Sequence, residues 1–261
     1  MQLKFGDTIY LNTLKDLTLA ADGIFSADCS VQRLNQTFGT DEHLFKVVPR
    51  QYYDAAEELK KSSSANRIDE QQEKLLVESY NNEIKINQLR LSKKMQTSVV
   101  YGDTVMLQHV KSGRWLTVVT TKFAKVQNHH RRVKLTNHPS TSCWFSMLAH
   151  HKINQRGSII HYNSSVKLSS PKLSSHFLHV AEQKNIHLTS RNIFLDQNNI
   201  DSFEVNCAGY IDGSVFVVHG VHVAKTSHSL LWTKKLIQIE HIETEEYLCC
   251  AAPPIHRING G

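Results

Sequence analysis

VVYGDTVMLQHVKSGRWLTV, residues 99–118, is the stretch of sequence that decides the fold. Val105, Leu107 and His109 alternate with other side chains, which is the pattern of a β-strand with one buried face. A polar break, KSGR at 111–114, follows, and bulky β-favouring residues resume after it. The glycine of the break can adopt the positive φ that a short hairpin connection requires. The stretch therefore predicts a β-hairpin.

The hairpin pattern recurs along the chain. GDTI at 6–9 has the residue types of GDTV at 102–105, and in both copies a large apolar residue follows about ten positions after the first strand residue. A looser third copy begins at Val166, and a fourth copy, with the same ten-residue spacing, begins at Ile237. Three strand-like motifs close the first three units, and they are LFKV at 44–47, WFSM at 144–147 and FEV at 203–205.

Each of the first three units spans about 40 residues, a length typical of repeats that bury their apolar faces only together. Three such units, each a hairpin with a closing strand, predict a mainly β chain that closes into a barrel of the β-trefoil type. The alternative is a β-rich chain in which V-x-L strands recur without threefold order.

Residues 51–96 have a different character, because they contain no Pro or Gly and are rich in Glu, Lys, Gln and Leu. Their apolar residues fall mostly at spacings of three, four or seven, which places them on one helical face. These residues are Ile68, Leu75, Leu76, Tyr80, Ile84 and Leu91. The segment predicts a helical hairpin arm inserted between units one and two. Two interpretations remain open: a charged arm packed weakly on the barrel, or a lever that contacts another subunit or domain.

The formal charge of the 261-residue chain is +6, which suits an acidic partner such as a phosphorylated ligand but is spread along the sequence. In the basic stretch KFAKVQNHHRRVKLTNH at 122–138, Arg131, Arg132 and Lys134 form a candidate anion patch. Apolar residues alternate with these cations, so we favour an ordinary strand with a solvated face. No nucleic-acid partner is expected.

The sequence lacks the nucleophile-elbow, metalloprotease, phosphate-loop and dinucleotide-binding motifs, so we expect no catalytic residues, no cofactor and a non-enzymatic module. The histidine pairs at 129–130 and 150–151 have no Cys or carboxylate at ligand spacing, and we expect surface or turn histidines and no metal site. Five cysteines without CxxC spacing favour a reducing compartment. With neither a signal peptide nor an apolar run of about 18 residues, we expect a cytosolic chain without a membrane span.

The order of these motifs resembles the N-terminal region of inositol 1,4,5-trisphosphate receptors and, more distantly, of ryanodine receptors. The motifs that carry the resemblance are GDTIYL at 6–11, LFKVVP at 44–49, YGDTVMLQHVKSGRWLTV at 101–118, SCWFSML at 142–148 and IQIEHIETEEYLCC at 237–250. The resemblance implies that residues 1–208 are a suppressor-type β-trefoil carrying the arm. It also implies that residues 209–261 are a linker and the opening hairpin of a second, truncated β-trefoil.

As a function, the resemblance implies a regulatory region of an intracellular calcium release channel, on the cytoplasmic side of the endoplasmic reticulum membrane. Such a region would modulate ligand affinity and gating through contacts with neighbouring domains or subunits of a larger tetrameric channel. The resemblance implies that Arg257, Asn259 and Gly260 are a divergent counterpart of the family's ligand-contacting segment. The helical half of the ligand clamp is not in this sequence, so inositol trisphosphate is expected to bind only together with downstream domains. The alternative is an independent MIR-type trefoil that binds carbohydrate or protein.

Overall fold

The computed structural model describes residues 1–15, 17–33, 41–63, 70–151, 155–181, 203–209 and 214–220, with the backbone alone at 32–33, 240–241 and 246–247. Over these residues the chain is mainly β, as predicted, with one sheet of 12 strands and two α-helices. The strands of this sheet are β1 (Thr8–Thr13), β2 (Leu17–Ala20), β3 (Ser30–Arg33), β4 (Phe45–Pro49), β5 (Thr104–His109), β6 (Trp115–Phe123), β7 (Arg131–Thr136), β8 (Phe145–Ala149), β9 (Ser165–Ser169), β10 (Phe177–Val180), β11 (Phe203–Ala208) and β12 (Val215–Gly220). The helices are α1 (Asp54–Ser63) and α2 (Glu70–Lys94), and short 3-10 helices span Asp41–His43 and Thr141–Cys143.

Six of the strands, β1, β4, β5, β8, β9 and β12, pair antiparallel in a closed ring. The residues that pair across its six junctions are Ile9 with Phe45, Val47 with Leu107, Val105 with Phe145, Met147 with Leu168, Val166 with Phe216 and Leu11 with Val218. All of these side chains are buried and belong to the main core, to which the strands outside the ring also contribute. Since every ring strand has a neighbour on both sides, the barrel leaves no free strand edge.

Three antiparallel hairpins complete the sheet, and they are β2–β3, β6–β7 and β10–β11. Strand β11 also pairs with β3 and with β7, so the three hairpins are joined to one another. The hairpin predicted at residues 99–118 is confirmed as β5–β6, with Gln108 opposite Trp115. Its glycine, Gly113, has the positive φ of 67° that the short connection requires.

His109, the last residue of β5, is fully buried and holds this connection in place. Its Nε2 lies 3.1 Å from the main-chain oxygen of Glu42. Because a carbonyl oxygen only accepts, Nε2 carries the proton in the neutral ring. The Nδ1 atom then accepts from the Ser112 hydroxyl at 2.8 Å. Both ring nitrogens are therefore satisfied by the two loops that meet there.

The third closing strand differs from the sequence prediction. Residues 203–205, expected to close the third unit, belong to β11 and pair in a hairpin with β10. The ring is instead closed by β12, which lies between β1 and β9. The compact unit accordingly runs from Met1 to Val221. The FEV motif was assigned to the closing strand because a hairpin strand and a ring strand show the same alternation of buried and exposed residues.

The predicted helical arm is confirmed by α1 and α2, but the predicted packed face is only partly right. Leu76, Tyr80 and Leu91 are half-buried, as expected of that face. Leu75 and Ile84 are exposed, with relative accessibilities of 66% and 36%. Ile68, the sixth residue of the predicted face, lies outside the described residues.

A second unit comprises His222–Gly261. Its described residues form two short antiparallel strands, β13 (Glu240–His241) and β14 (Glu246–Tyr247). Glu240 pairs with Tyr247 and His241 with Glu246. These strands fall within the hairpin predicted at 237–250.

Candidate functional site

The arm joins the barrel through a hydrophobic cluster that is separate from the main core. The cluster combines ring strands β4 and β5, the segment before β8, and both ends of the arm. Its buried members are Val48, Met106, Cys143 and Trp144, and the partly buried residues packed on them are Tyr53, Leu91 and Trp115. Because Tyr53 precedes α1 and Leu91 lies near the end of α2, the cluster fixes the base of the arm at two points.

Polar groups on the inner face of α2 fix the start of the arm. The Glu83 carboxylate is buried and accepts hydrogen bonds from the main-chain N–H groups of Ala55 and Ala56, at 2.9 and 3.2 Å. These are first-turn N–H groups of α1, which have no partner within the helix. A negative charge at this end also suits the helix dipole. Glu83 therefore caps α1 from the neighbouring helix.

Two further contacts fasten the arm to the barrel. The indole Nε1 of Trp144 donates to the main-chain oxygen of Gln51 at 3.0 Å. The hydroxyl of Thr141 donates to the Glu57 carboxylate of α1 at 2.8 Å. Trp144 follows the short helix that contains Thr141, so this segment holds the arm from the barrel side. The arm is thus attached to the barrel by specific contacts. We call this attachment of the arm, made by the hydrophobic cluster together with Glu83 and Thr141, the joint.

On its exposed side, α2 carries an apolar stripe. Leu75, Ile86 and Leu89 have relative accessibilities of 66%, 52% and 60%. Spacings of eleven and three residues place them near one side of an α-helix, since about 3.6 residues make one turn. Large exposed apolar side chains on one side of a fixed helix form a surface suited to contact with another domain or subunit.

The candidate anion patch lies on β7, where the buried residues Val133 and Leu135 alternate with Arg132 and Lys134, as the strand interpretation predicted. Arg132 is paired with the Asp28 carboxylate at 2.5 Å. The Arg131 guanidinium lies 4.5 Å from the centre of the Phe123 ring. Lys134 is half-buried on the same strand.

Asp28 also accepts from the ammonium group of Lys125 at 2.7 Å. Burial acts to raise the pKa of Asp28, but the hydrogen bonds and charges of Arg132 and Lys125 outweigh it and hold this pKa below its usual value. The basic stretch is thus partly neutralised by a carboxylate of the neighbouring hairpin.

The loop before β7 contains a buried histidine. His130 is only 4% exposed, and its ring lies 5.3 Å from that of His179 in an edge-to-face arrangement. His179 Nδ1 lies 2.9 Å from the side-chain oxygen of Asn206, whose amide nitrogen donates to Gln127 at the same distance. Of this pair, expected at the surface or in a turn, His130 is therefore buried within its loop, while His129 is exposed. No local sequence signal marks this burial, because His179 and Asn206 belong to distant strands.

The other predicted ligand residues, Arg257, Asn259 and Gly260, lie outside the described residues. Among the residues that the structure describes, no three His, Cys, Asp or Glu side chains are arranged to hold a metal ion. Neither described helix has an apolar stretch long enough to cross a bilayer.

The joint itself was not predicted, because polar residues in a helical segment read as solvent-facing. Glu83, Asn87 and Arg90 occupy the inner face of α2 and contact the segment that leads into α1. The one sequence signal for this inner face is the spacing of these three polar residues, four and then three positions, which places them on the same side of a helix.

Comparison with protein-family models gives a match over residues 1–214 to the family described as inositol 1,4,5-trisphosphate/ryanodine receptor. The matched residues contain β1 to β11, both helices and the whole joint.

Proposed function

The chain belongs to the inositol 1,4,5-trisphosphate/ryanodine receptor family, and from this we propose that it is a non-enzymatic regulatory region of an intracellular calcium release channel. This is a family of receptor channels and not a family of enzymes. In the proposed role the chain lies on the cytoplasmic side of the endoplasmic reticulum membrane as part of a larger tetrameric channel. There it modulates ligand affinity and gating through contacts with neighbouring domains or subunits.

The observation that carries this proposal is the fixed arm. Helix α2 has 25 residues, which at 1.5 Å per residue gives a rod about 37 Å long. Its base is held by the hydrophobic cluster and by capped, hydrogen-bonded polar groups, while Leu75 and Leu89 stay exposed along it. A rigid projection with an apolar side can transmit a displacement of its contact partner to the barrel. This supports the lever interpretation.

We further propose that the barrel is a β-trefoil of the suppressor type. Its support is the threefold recurrence of buried residues in the ring, where Phe45, Phe145 and Phe216 hold matching positions in β4, β8 and β12. The proposed domain comprises residues 1–208, and β12, which lies in the segment expected to be a linker, completes its barrel. The β13–β14 pair supports the proposal that a second, truncated trefoil opens in residues 209–261.

Arg257, Asn259 and Gly260 are proposed to contribute to an inositol trisphosphate site only when downstream domains supply the other cations. One or two exposed charge pairs give about 0 to 1 kcal/mol each, against the roughly 8 kcal/mol of micromolar binding. The basic strand of Arg131, Arg132 and Lys134 is proposed as a secondary anion surface, since Arg132 is already paired with Asp28.

Isothermal titration calorimetry tests this proposal at physiological salt. We expect inositol trisphosphate to bind the 261-residue chain weakly or not at all, and to bind a longer chain that includes the downstream domains. A saturable submicromolar site in the 261-residue chain would overturn the proposal that tight binding requires the downstream domains. If that site disappeared in the double variant Arg131→Ala, Arg132→Ala, the basic strand would be the ligand pocket.

A further inference from the structure

Two arginines, one from the barrel and one from the arm, lie against the same tyrosine at the joint. Arg50 follows β4, and its guanidinium carbon lies 5.2 Å from the centre of the Tyr52 ring and 3.9 Å from that of Trp144. Arg90 of α2 lies at the same distance, 5.2 Å, from the Tyr52 ring, and its Nη1 donates to the Tyr52 hydroxyl at 2.9 Å. The two guanidinium carbons are therefore at most twice 5.2 Å apart.

Neither guanidinium has an anionic partner among the described residues. The Nε atoms of Arg50 and Arg90 are buried and have no hydrogen-bond acceptor there. Glu83, the buried carboxylate of this joint, already uses both of its oxygens on the α1 main chain. Two half-buried positive charges thus flank one tyrosine ring, at most twice 5.2 Å apart, with most of their donors unused.

This arrangement is costly without a ligand. Partial burial removes water from both cations, and their mutual repulsion is stronger at a half-buried site than in bulk water. The aromatic rings offset part of this cost by stacking on the faces of the guanidinium groups. Most of the N–H groups at the guanidinium edges remain without acceptors among the described residues. Those edges present N–H donors in the planar geometry that matches oxyanions.

We propose that Arg50 and Arg90 form a binding site for a phosphate group at the joint between arm and barrel. A phosphate offers several acceptor oxygens and up to two negative charges, so it can engage the edges of two arginines at once. A single carboxylate has two oxygens, which one guanidinium edge satisfies. The site shares no residue with the basic strand β7 or with Arg257.

Bound phosphate would connect the arm to the barrel by a third kind of contact, beside the hydrophobic cluster and the Glu83 cap. Binding should therefore stiffen the angle between α2 and the ring. This property does not depend on the channel role, because it can be measured on the 261-residue chain in solution.

The test is a titration of the 261-residue chain with inorganic phosphate at constant ionic strength, followed by NMR of the arginine Nε–H resonances. We expect saturable shifts at Arg50 and Arg90 with a dissociation constant of about 1 mM or tighter. Arg50→Gln and Arg90→Gln should each weaken binding by about tenfold. Arg90→Lys keeps the charge but loses the fork, so it should also weaken binding. The matched control, Arg156→Gln, removes an exposed arginine elsewhere and should leave the affinity unchanged.

Thermal unfolding of each variant first establishes that the variant is folded. If a Gln variant does not fold, the phosphate affinity of Arg90→Lys provides the test instead. Absence of saturable shifts in the unchanged chain would overturn the proposal. Equal binding by Arg50→Gln and Arg90→Gln would do the same. If glutamate bound as tightly as phosphate, the site would be one for carboxylates and the assignment to phosphate would be wrong. If Arg132→Gln alone abolished binding, the basic strand would be the site.

Discussion

Asn87 of α2 and Tyr52 form two hydrogen bonds of 2.8 Å, one in each direction, between the side-chain amide of Asn87 and the main chain of Tyr52. The pairing reproduces the two-way exchange between opposite residues of an antiparallel sheet. Tyr52 lies in the segment that connects β4 to α1, so this contact ties the second helix of the arm to the chain leaving the barrel.

Removal of this amide should loosen the arm. We expect Asn87→Ala to lower the free energy of unfolding by about 1 to 3 kcal/mol, because both main-chain groups of Tyr52 lose their partner. Hydrogen exchange should become faster in α2 and in the residues preceding α1. Asn82→Ala, which truncates an exposed amide on the same helix, is the matched control and should change neither quantity. Equal effects of the two variants would show that the pairing does not hold the arm.

The buried His109 should make the chain less stable in mild acid. Burial is the main cause that lowers the pKa of His109 below its usual value of 6.5, and the charge of Lys111 acts in the same direction. As the pH falls through 6.5, His109 is therefore protonated in the unfolded chain before it is protonated in the folded chain. Stability contributed by the neutral ring is complete above that pH and declines below it, by at most about 1.4 kcal/mol per pH unit.

Urea unfolding between pH 7.5 and 5 measures this effect. We expect His109→Gln to show a smaller loss of stability on acidification than the unchanged chain. His138→Gln, at an exposed position, should keep the full loss. Identical pH profiles for the unchanged chain and His109→Gln would rule out this histidine as a source of the dependence.

The barrel should fold without the arm. The ring of six strands closes through its own pairings, and none of its junctions involves α1 or α2. Replacing residues 55–94 by a short Gly/Ser linker should leave cooperative unfolding, because an insertion at a surface connection leaves the core intact. Stability should drop by about 2 to 5 kcal/mol, since Leu91 no longer packs on Met106 and Trp144.

Tryptophan fluorescence and urea unfolding check this expectation. Trp144 is nearly buried in the intact chain, and its emission should shift to the red when the arm is removed. A broad, non-cooperative transition in the deletion variant would show that the arm belongs to the folding core.

The parts of the fold that the sequence predicted are those with local signals. The alternation and the glycine break at 99–118 identify the β5–β6 hairpin, and the Pro- and Gly-free stretch at 51–96 identifies the arm. Strand β12 was missed because the FEV motif of β11 had already supplied a closing strand, and only long-range pairing with β1 distinguishes them.

The joint was missed for a different reason. An apolar pattern alone places Leu75 and Ile84 inward, yet both are exposed. The helix is oriented instead by Glu83 and Asn87, whose partners are main-chain groups that carry no residue-type signal. The burial of His130 also has no local sequence signal, because it depends on strands that are distant in the sequence.

The central claim is that this unit regulates a receptor channel through domain contacts. The most direct measurement is equilibrium binding of inositol trisphosphate to a receptor chain with downstream ligand-binding domains, compared with and without residues 1–221. Because coupling between domains typically changes affinity by about 5-fold to 150-fold, we predict that removal tightens binding by about fivefold or more. Asn87→Ala, which loosens the arm, should produce part of the same change, and Asn82→Ala should produce none. Equal affinities for all four chains would contradict the account.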